Sequence, residues 1–215
     1  MAVTEVVGTL TKTYIDQGHG VVGVVASQPR EGTTTVTLAL ARAFVDYRPA
    51  SRVLLVDANP SNRDLTQSVM RGERLGRKAA KMAATERNLG EPTYLPLPDS
   101  PQQFLLSFGQ GVGESGDLGL SGDAVNRIDH VLKAARHEFD LVLVDLPPVL
   151  QHRDAVQTLA PLLDTLVMVV RAAQTRRPVI EQGAETLKSL PRPLAGVILN
   201  DRPYPIPKWI YRRFF

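Results

Sequence analysis

Apolar and polar positions along this chain form two recurring patterns, continuous apolar runs and amphipathic stretches. Residues 21–26 make a continuous run rich in β-branched side chains, which is typical of a buried parallel strand. From Thr33 to about Tyr47 the apolar residues recur with helical spacing, which predicts an amphipathic helix. The same patterns predict further strands at 52–56, 93–97, 141–144, 165–170 and 194–199, and further helices at 123–138, 154–163 and 178–190.

The remaining segments are less regular. Residues 4–17 have nearly helical spacing, and residues 60–91 are polar and helical in parts. Residues 109–122 carry six glycines among small and polar side chains, which predicts a mobile loop. Because strands alternate with helices at this spacing, we expect an α/β fold with a mostly parallel central sheet and helices on both faces.

Composition places the chain among globular proteins. It has 215 residues, of which 43% are hydrophobic and 22% charged, so it is long enough to bury one full core. The absence of cysteine excludes disulfides and thiolate metal sites. No apolar run approaches the ~18 residues of a membrane span, and the first residues lack the pattern of a signal peptide. We therefore expect a cytoplasmic protein.

Three polar groups follow predicted strands directly, at the carboxyl ends where ligands bind in folds of this kind. They are the loop 27–35, Asp57 and Asp145. A phosphate loop needs a strand, a tight loop of backbone N–H donors and a helix N-terminus, together with a lysine and a magnesium-binding hydroxyl. Here Gly32 and the hydroxyl residues are present, but Thr33 stands where the lysine is needed.

The loop resembles that of the bacterial tyrosine autokinases, a family of the MinD/ParA P-loop superfamily associated with capsule and exopolysaccharide export. The loop of that family has the form S-x-x-P-G-E-G-K-S-T, and this chain reads ASQPREGTTT from Ala26. Pro29, Glu31, Gly32 and Thr35 match the form, Arg30 replaces a glycine, Thr33 replaces the lysine, and Thr34 stands for the magnesium-binding hydroxyl.

The resemblance continues over nearly the whole chain. VLLVDAN at 53–59 looks like the second acidic motif of the family, and FDLVLVDLPP at 139–148 looks like its Walker B strand with the following Pro-Pro. Residues 154–155, 169–172 and 196–200 fit the downstream pattern. The resemblance implies a P-loop NTPase-like fold, ATP or ADP with Mg²⁺ as ligands, and a role in exopolysaccharide or capsule production.

Carried over residue by residue, the resemblance assigns a nucleotide site and a metal site. Magnesium would be held by Thr34, Asp57 and Asp145, and the two aspartates are the best catalytic candidates. The alternative is that each aspartate only caps loop N–H groups. Asn200 matches a position that reads the adenine edge, with a simple turn residue as the alternative. The nucleotide would contact Arg30, Glu31, Gly32, Thr33, Thr34, Thr35 and Asn200.

The departures from the family pattern all point towards lost catalysis. Thr33 cannot supply the phosphate-facing charge, Asn59 replaces a second aspartate, and the chain has no tyrosine cluster near its end. Phosphoryl transfer depends on positioning and electrostatics, so one lost contact of this kind costs about 3–4 kcal/mol, or ~10²–10³ in rate. We therefore expect a degenerate kinase-like protein, in which Arg30 is either a substitute cation or a solvated loop side chain.

The end of the chain differs in character from the rest. Residues 203–215 hold the single tryptophan and interleave aromatic with basic side chains, so we divide the chain into a P-loop NTPase-like domain at 1–202 and a docking tail. Such a tail is suited to a membrane protein or to peripheral contact with a bilayer. The alternative is that it folds back over its own domain. The docking residues would be Trp209, Tyr211, Arg212 and Arg213.

The resemblance leaves three functions open. The first is a pseudokinase that is a partner or regulator in exopolysaccharide export, paired with a Wzz-type chain-length-determinant protein at the inner face of the plasma membrane. The second is an active tyrosine kinase or ATPase of the same pathway. The third is a ParA-like positioning ATPase that binds DNA through basic residues between Arg71 and Arg87. Glu73 and Glu86 interrupt that cluster, so nucleic acid is disfavoured, and the sequence leaves a homo-oligomer open.

Overall fold

The computed structural model describes residues 3–15, 20–59, 64–71, 93–97, 100–107 and 122–201. Within these ranges the helices are α1 (Val3–Leu10), α2 (Thr33–Tyr47), α3 (Asp64–Arg71), α4 (Gly122–Glu138), α5 (Arg153–Leu159) and α6 (Arg177–Lys188). The strands are β1 (Gly20–Ala26), β2 (Val53–Asp57), β3 (Thr93–Leu97), β4 (Ser100–Ser107), β5 (Leu141–Asp145), β6 (Thr165–Arg171) and β7 (Leu194–Asn200). A π-helical turn (Thr11–Ile15) follows α1, and a 3-10 turn (Ala160–Leu162) follows α5.

The strands form one sheet in the order β3-β4-β2-β5-β1-β6-β7. Neighbouring strands run parallel throughout the described sheet except for β3 and β4, which are antiparallel. Strand β1 lies between β5 and β6, so the loop that follows it emerges from the interior of the sheet. The predicted α/β fold with a mostly parallel sheet is therefore confirmed.

Side chains of β1 contribute alternately to two apolar clusters, one on each face of the sheet. Val21 and Val25 pack in the cluster that includes Ile128 of α4. Val22 and Val24 pack in the cluster that includes residues of α1 and α2. Burial of one such side chain contributes about 1.5–3 kcal/mol, and burial on both faces explains why the sequence shows a continuous run rather than an alternation.

Gly23, in the middle of β1, is covered by leucines from neighbouring elements. A Cβ atom at this position would lie 2.6 Å from a side-chain carbon of Leu163, 2.8 Å from one of Leu166 and 2.9 Å from one of Leu146. No larger residue fits unless these packed side chains move. The strand that leads into the phosphate loop is therefore held in a close-packed setting.

The predicted elements agree with the structure to within two residues at their ends, except that α1 and α5 end earlier than predicted and are followed by a π-helical and a 3-10 turn. The main omission is β4. Its sequence, SPQQFLLS, begins with polar residues and lacks the apolar run of the central strands. It pairs antiparallel with β3, which is the last strand at one edge of the described sheet. A strand that begins with polar residues is recognised by its partners more than by its own pattern.

Several predictions fall outside the described residues. They concern the polar segment 60–91 apart from α3, the glycine-rich loop 109–122 apart from Gly122, which begins α4, and the tail 203–215. Across the described ranges, none of the helices combines the length and the apolar character that a membrane crossing requires.

Candidate phosphate-binding site

The loop after β1 and the ends of β2 and β5 meet at one edge of the sheet. Asp57 lies opposite Asp145 in the ladder between β2 and β5. On the other side of β5, Val24 of β1 lies opposite Asp145. Because parallel strands in register end together, the structure brings the loop and both aspartates into one site.

Two positive backbone angles shape the loop between β1 and α2. Arg30 has a φ of 65° and Gly32 a φ of 90°. Glycine adopts this region freely, whereas the left-handed conformation costs a residue such as arginine roughly 1–2 kcal/mol. The carbonyl of Gly32 accepts the hydrogen bond of the Val36 N–H at 3.0 Å, so α2 begins directly after the loop. The unpaired N–H groups of its first turn therefore face the loop.

Glu31 holds the loop from within. Its side chain is only 2% exposed, and Oε2 accepts hydrogen bonds from the backbone N–H of Ser27 at 2.8 Å and of Gln28 at 3.1 Å. Oε1 accepts a hydrogen bond from the hydroxyl of Thr175, which lies between β6 and α6. The carboxylate that we expected at the nucleotide thus has protein donors on both oxygens, and its observed contacts stabilise the loop itself.

Asn200, the last residue of β7, touches the same loop from the other direction. Its Nδ2 donates a hydrogen bond of 2.9 Å to the backbone carbonyl of Glu31. A Cβ atom at Gly32 would overlap the side-chain amide of Asn200, so the backbone approach at this point requires glycine. The structure therefore places Asn200 against the loop backbone, while its predicted contact with an adenine edge stays a prediction.

Asp145 is the most buried titratable group of the site. It is 1% exposed, and its Oδ2 accepts a hydrogen bond of 2.6 Å from the Thr34 hydroxyl. Burial raises the pKa of Asp145 to about 7; the hydrogen bond from Thr34 lowers it, and the charge of Asp57 raises it. The other oxygen, Oδ1, is buried without a hydrogen-bond partner among the described residues. A buried, unpaired carboxylate oxygen is costly unless a cation or another donor reaches it.

Asp57 makes contacts of a different kind. Its Oδ2 accepts hydrogen bonds from the backbone N–H of Thr66 at 2.9 Å and from the Thr66 hydroxyl at 2.8 Å. Its Oδ1 accepts a hydrogen bond of 3.3 Å from the N–H of Asn59. Asp57 therefore fixes the first turn of α3 and the loop after β2, as the capping alternative expects, while its predicted contact with magnesium stays a prediction.

The oxygen atoms of Asp145 and Thr34 are suitable ligands for a hard divalent cation such as Mg²⁺. The unpartnered Oδ1 supplies a carboxylate ligand, and the Thr34 hydroxyl lies beside it. Mg²⁺ is commonly held by one or two carboxylates and by the phosphates of its ligand, so a full protein cage is not required. Thr34 and Asp145 would hold the ion, which would supply positive charge to neighbouring phosphate oxygens.

A cavity of about 420 Å³ adjoins this pair through Thr34, which lines it. The loop and the first turn of α2 form one wall, which includes Arg30 and Thr33. Ser68 of α3 and His152, just before α5, contribute to the other side. The volume falls within the usual range of ligand sites, and the positive end of a helix favours an anion.

Sequence reasoning missed two groups of this site. Thr175 binds the carboxylate of Glu31 across 144 positions of sequence, and His152 lines the cavity. Their positions depend on which strands are neighbours, so no local motif reveals them. The remaining site residues proposed from sequence, Trp209, Tyr211, Arg212 and Arg213 of the tail, lie outside the described residues, as do the basic residues at 72–92.

Comparison with known proteins places the chain in a polysaccharide context. Residues 20–189 match a family model described as "Cellulose biosynthesis protein BcsQ". No curated protein sequence matches the chain significantly.

Solved structures of similar fold include several kinase domains. The kinase domain of VpsO aligns with 94% of this chain and 94% of its own, at 21% identity and a TM-score of 0.65. The kinase domain of the Escherichia coli tyrosine kinase ETK aligns with 96% of this chain and 79% of its own, at 16% identity and a TM-score of 0.65. The BceF tyrosine kinase domain aligns with 94% of this chain and 77% of its own, at 20% identity and a TM-score of 0.65. At these identities the likeness establishes the P-loop NTPase-like fold alone.

Proposed function

The chain belongs to the BcsQ family of cellulose biosynthesis proteins, and from that premise we propose that it binds a nucleotide as a regulatory partner in polysaccharide export, without phosphorylating tyrosine. The ligand would be ATP or ADP with Mg²⁺ in the cavity above the phosphate loop. This extends the expected pseudokinase role to a family whose description names cellulose as the product.

One observation carries this proposal: the frame of the phosphate loop is intact around a missing lysine. The loop, the N-terminus of α2 and the contact between Thr34 and Asp145 are all formed. Thr33 lines the cavity at the position where the family motif has its lysine. A site of this kind keeps backbone donors and a helix dipole for phosphate, but it lacks the point charge on which phosphoryl transfer depends.

The main rival is an active kinase or ATPase, and the intact pair of Thr34 and Asp145 favours it. Arg30 lines the same cavity and is the cation nearest in sequence to the missing charge. Against this rival, Asn59 also lines the cavity with a neutral side chain where the kinase motif has an aspartate. Two losses in one site should compound, so we favour binding without transfer.

Restoring the lysine tests the proposal. We expect the unaltered protein to bind ATP without measurable hydrolysis, and Thr33→Lys to tighten ATP binding by about tenfold or more, since a phosphate-facing charge is regained. Affinity is measured by calorimetry with and without Mg²⁺, and hydrolysis by phosphate release.

The matched control is Ala39→Lys, which adds the same charge to an exposed position of α2 outside the cavity. Micromolar ATP affinity with steady hydrolysis by the unaltered protein would establish the rival function. If neither the unaltered protein nor Thr33→Lys bound ATP, the cavity would not be a nucleotide site.

Partner docking is a second part of the proposal and depends on the tail. The tail interleaves aromatic and basic side chains, which suit contact with a membrane protein at the bilayer surface. The resemblance to the tyrosine autokinases points to a Wzz-type chain-length determinant as that partner. We expect a protein that ends at residue 202 to lose most recovery of that partner in a pulldown, and the pair Trp209→Ala with Tyr211→Ala to lose much of it. Tyr204→Ala is the control, because Tyr204 stands apart from the aromatic and basic cluster. Equal recovery by all forms would remove the tail from the proposal.

A further inference from the structure

The contact of Asn200 with the loop determines the direction of one peptide group. Its Nδ2 donates to the carbonyl oxygen of Glu31, across 169 positions of sequence. A trans peptide is planar, so the N–H of the next residue points opposite to that carbonyl. With the carbonyl of Glu31 turned towards Asn200, the N–H of Gly32 points away from Asn200. Gly32 lines the cavity, and Asn200 does not.

We propose that Asn200 is a positioning residue: its hydrogen bond fixes the peptide between Glu31 and Gly32 so that the Gly32 N–H faces the cavity and binds the anionic ligand. The inference rests on the proposed function in one respect, that the cavity binds an anion. It assigns to the end of β7 a role that differs from reading the adenine edge.

The orientation of a peptide group next to glycine has to be fixed by a contact from elsewhere in the protein. Rotation of this peptide changes ψ of Glu31 and φ of Gly32, and glycine tolerates both signs of φ. The observed φ of 90° at Gly32 is therefore one of several accessible values, and the hydrogen bond from Asn200 selects it. The close fit of Gly32 against the Asn200 amide also excludes any side chain that would restrict the angle instead.

The preceding part of the loop is already held by another contact. The Glu31 carboxylate binds the N–H groups of Ser27 and Gln28 and the hydroxyl of Thr175. These bonds fix the side chain of Glu31 but leave the peptide that follows it free to rotate. Only Asn200, among the described residues, is seen to bond the carbonyl of that peptide. The loop is thus shaped for an anion by neutral and acidic groups, without a lysine.

The test compares Asn200→Ala and Asn200→Asp with Leu199→Ala. Leu199 is the preceding residue of β7, is 58% exposed and has no part in the site, so it is a matched control. Two quantities are measured: the amide resonance of Gly32 in ¹⁵N spectra without ligand, and the affinity for inorganic pyrophosphate by calorimetry. Thermal melting checks that each variant is folded.

We expect both Asn200 variants to shift or split the Gly32 resonance and to weaken pyrophosphate binding about five- to tenfold, the range of one lost hydrogen bond. Leu199→Ala should change neither quantity. A purely structural role would lower the melting temperature without affecting Gly32 selectively.

An unchanged Gly32 resonance in the Asn200 variants would overturn the inference whatever the affinity. A disturbed resonance with unchanged pyrophosphate affinity would overturn it as well, since the Gly32 N–H would then contribute nothing to the anion. The unaltered protein could bind neither pyrophosphate nor ATP while the Asn200 variants still disturbed the Gly32 resonance. The proposed function would then fail, and so would anion binding by the Gly32 N–H, but the positioning of the peptide by Asn200 would stand.

Discussion

Replacing Asp145 with asparagine is expected to raise the free energy of unfolding at pH 8 by an amount on the order of 4 kcal/mol. Burial raises the pKa of Asp145 to about 7, from an ordinary value of 3.8. Each unit of difference between the folded and unfolded values corresponds to about 1.4 kcal/mol. Above pH 7 the folded protein therefore carries a buried charge that the unfolded chain would solvate in water.

The pH dependence follows from the direction of this shift. The folded state binds the proton of Asp145 more tightly than the unfolded state, so the stability due to the neutral form is fully present below about pH 4. It is lost progressively as the pH rises through the folded value of about 7. Asp145→Asn removes this dependence, because the amide stays neutral and still offers an oxygen to the Thr34 hydroxyl. The difference between the two proteins should be small at pH 4 and largest at pH 8.

Urea denaturation at several values of pH measures this difference. Asp46→Asn, an exposed substitution on α2, controls for the general effect of removing one charge. Adding Mg²⁺ should narrow the gap at pH 8, since a cation at Oδ1 stabilises the charged form in the unaltered protein alone. A stability difference that is the same at pH 4 and pH 8 would contradict the raised pKa.

The sequence alone predicts a strand, and the acidic side chain that follows it, wherever a local pattern of apolar residues is enough to define that strand. The run at 21–26 must be buried on both faces, and Asp57 and Asp145 must then share an edge, since parallel strands end together. That reasoning needs only the existence of the strands. The order of the strands in the sheet is not needed for this prediction. The family resemblance then identifies the loop as a phosphate loop.

The parts that sequence reasoning missed depend on distant neighbours. Strand β4 begins with polar residues, and its pairing with β2 and β3 defines it. Thr175 reaches Glu31, and Asn200 reaches the Glu31 carbonyl, because β6 and β7 lie on the same side of β1. The motif assigns Glu31 to the nucleotide, and the structure adds that its carboxylate binds the loop backbone, because a motif states which residue is present and not which way its side chain faces. The direction of a side chain follows from packing, which only the assembled sheet provides.

Two acidic groups of the site, Asp145 and Glu31, have opposite energetic roles. Asp145 has one oxygen without a hydrogen-bond partner and destabilises the fold when charged. Glu31 has donors on both oxygens and stabilises the loop. A carboxylate that can accept a cation is thus placed beside a loop that is held by hydrogen bonds within the protein. This arrangement suits a site that responds to a ligand, because a pre-organised loop lowers the cost of binding.

Glu31→Ala is therefore expected to destabilise the protein by about 3 kcal/mol, in contrast to Asp145→Asn. The change removes the acceptor of two backbone N–H groups, those of Ser27 and Gln28, and of the Thr175 hydroxyl. Each buried donor left without a partner costs about 1–3 kcal/mol, and relief from burying the carboxylate offsets part of the sum. Urea denaturation at pH 7 measures the loss, and pyrophosphate affinity should fall by about tenfold or more because the loop no longer holds its shape.

Glu31→Gln is the informative companion of this variant. Its side-chain oxygen can still accept from Ser27 and Gln28, while its amide group donates to the Thr175 oxygen in place of accepting from it. We therefore expect a cost of only about 1 kcal/mol and nearly normal pyrophosphate binding, since the hydrogen bonds persist without the charge. If Glu31→Gln were as damaging as Glu31→Ala, the negative charge itself would be required and the loop would not be held by hydrogen bonding alone. If both variants were as stable as the unaltered protein, the contacts of Glu31 would follow from the shape of the loop rather than determine it.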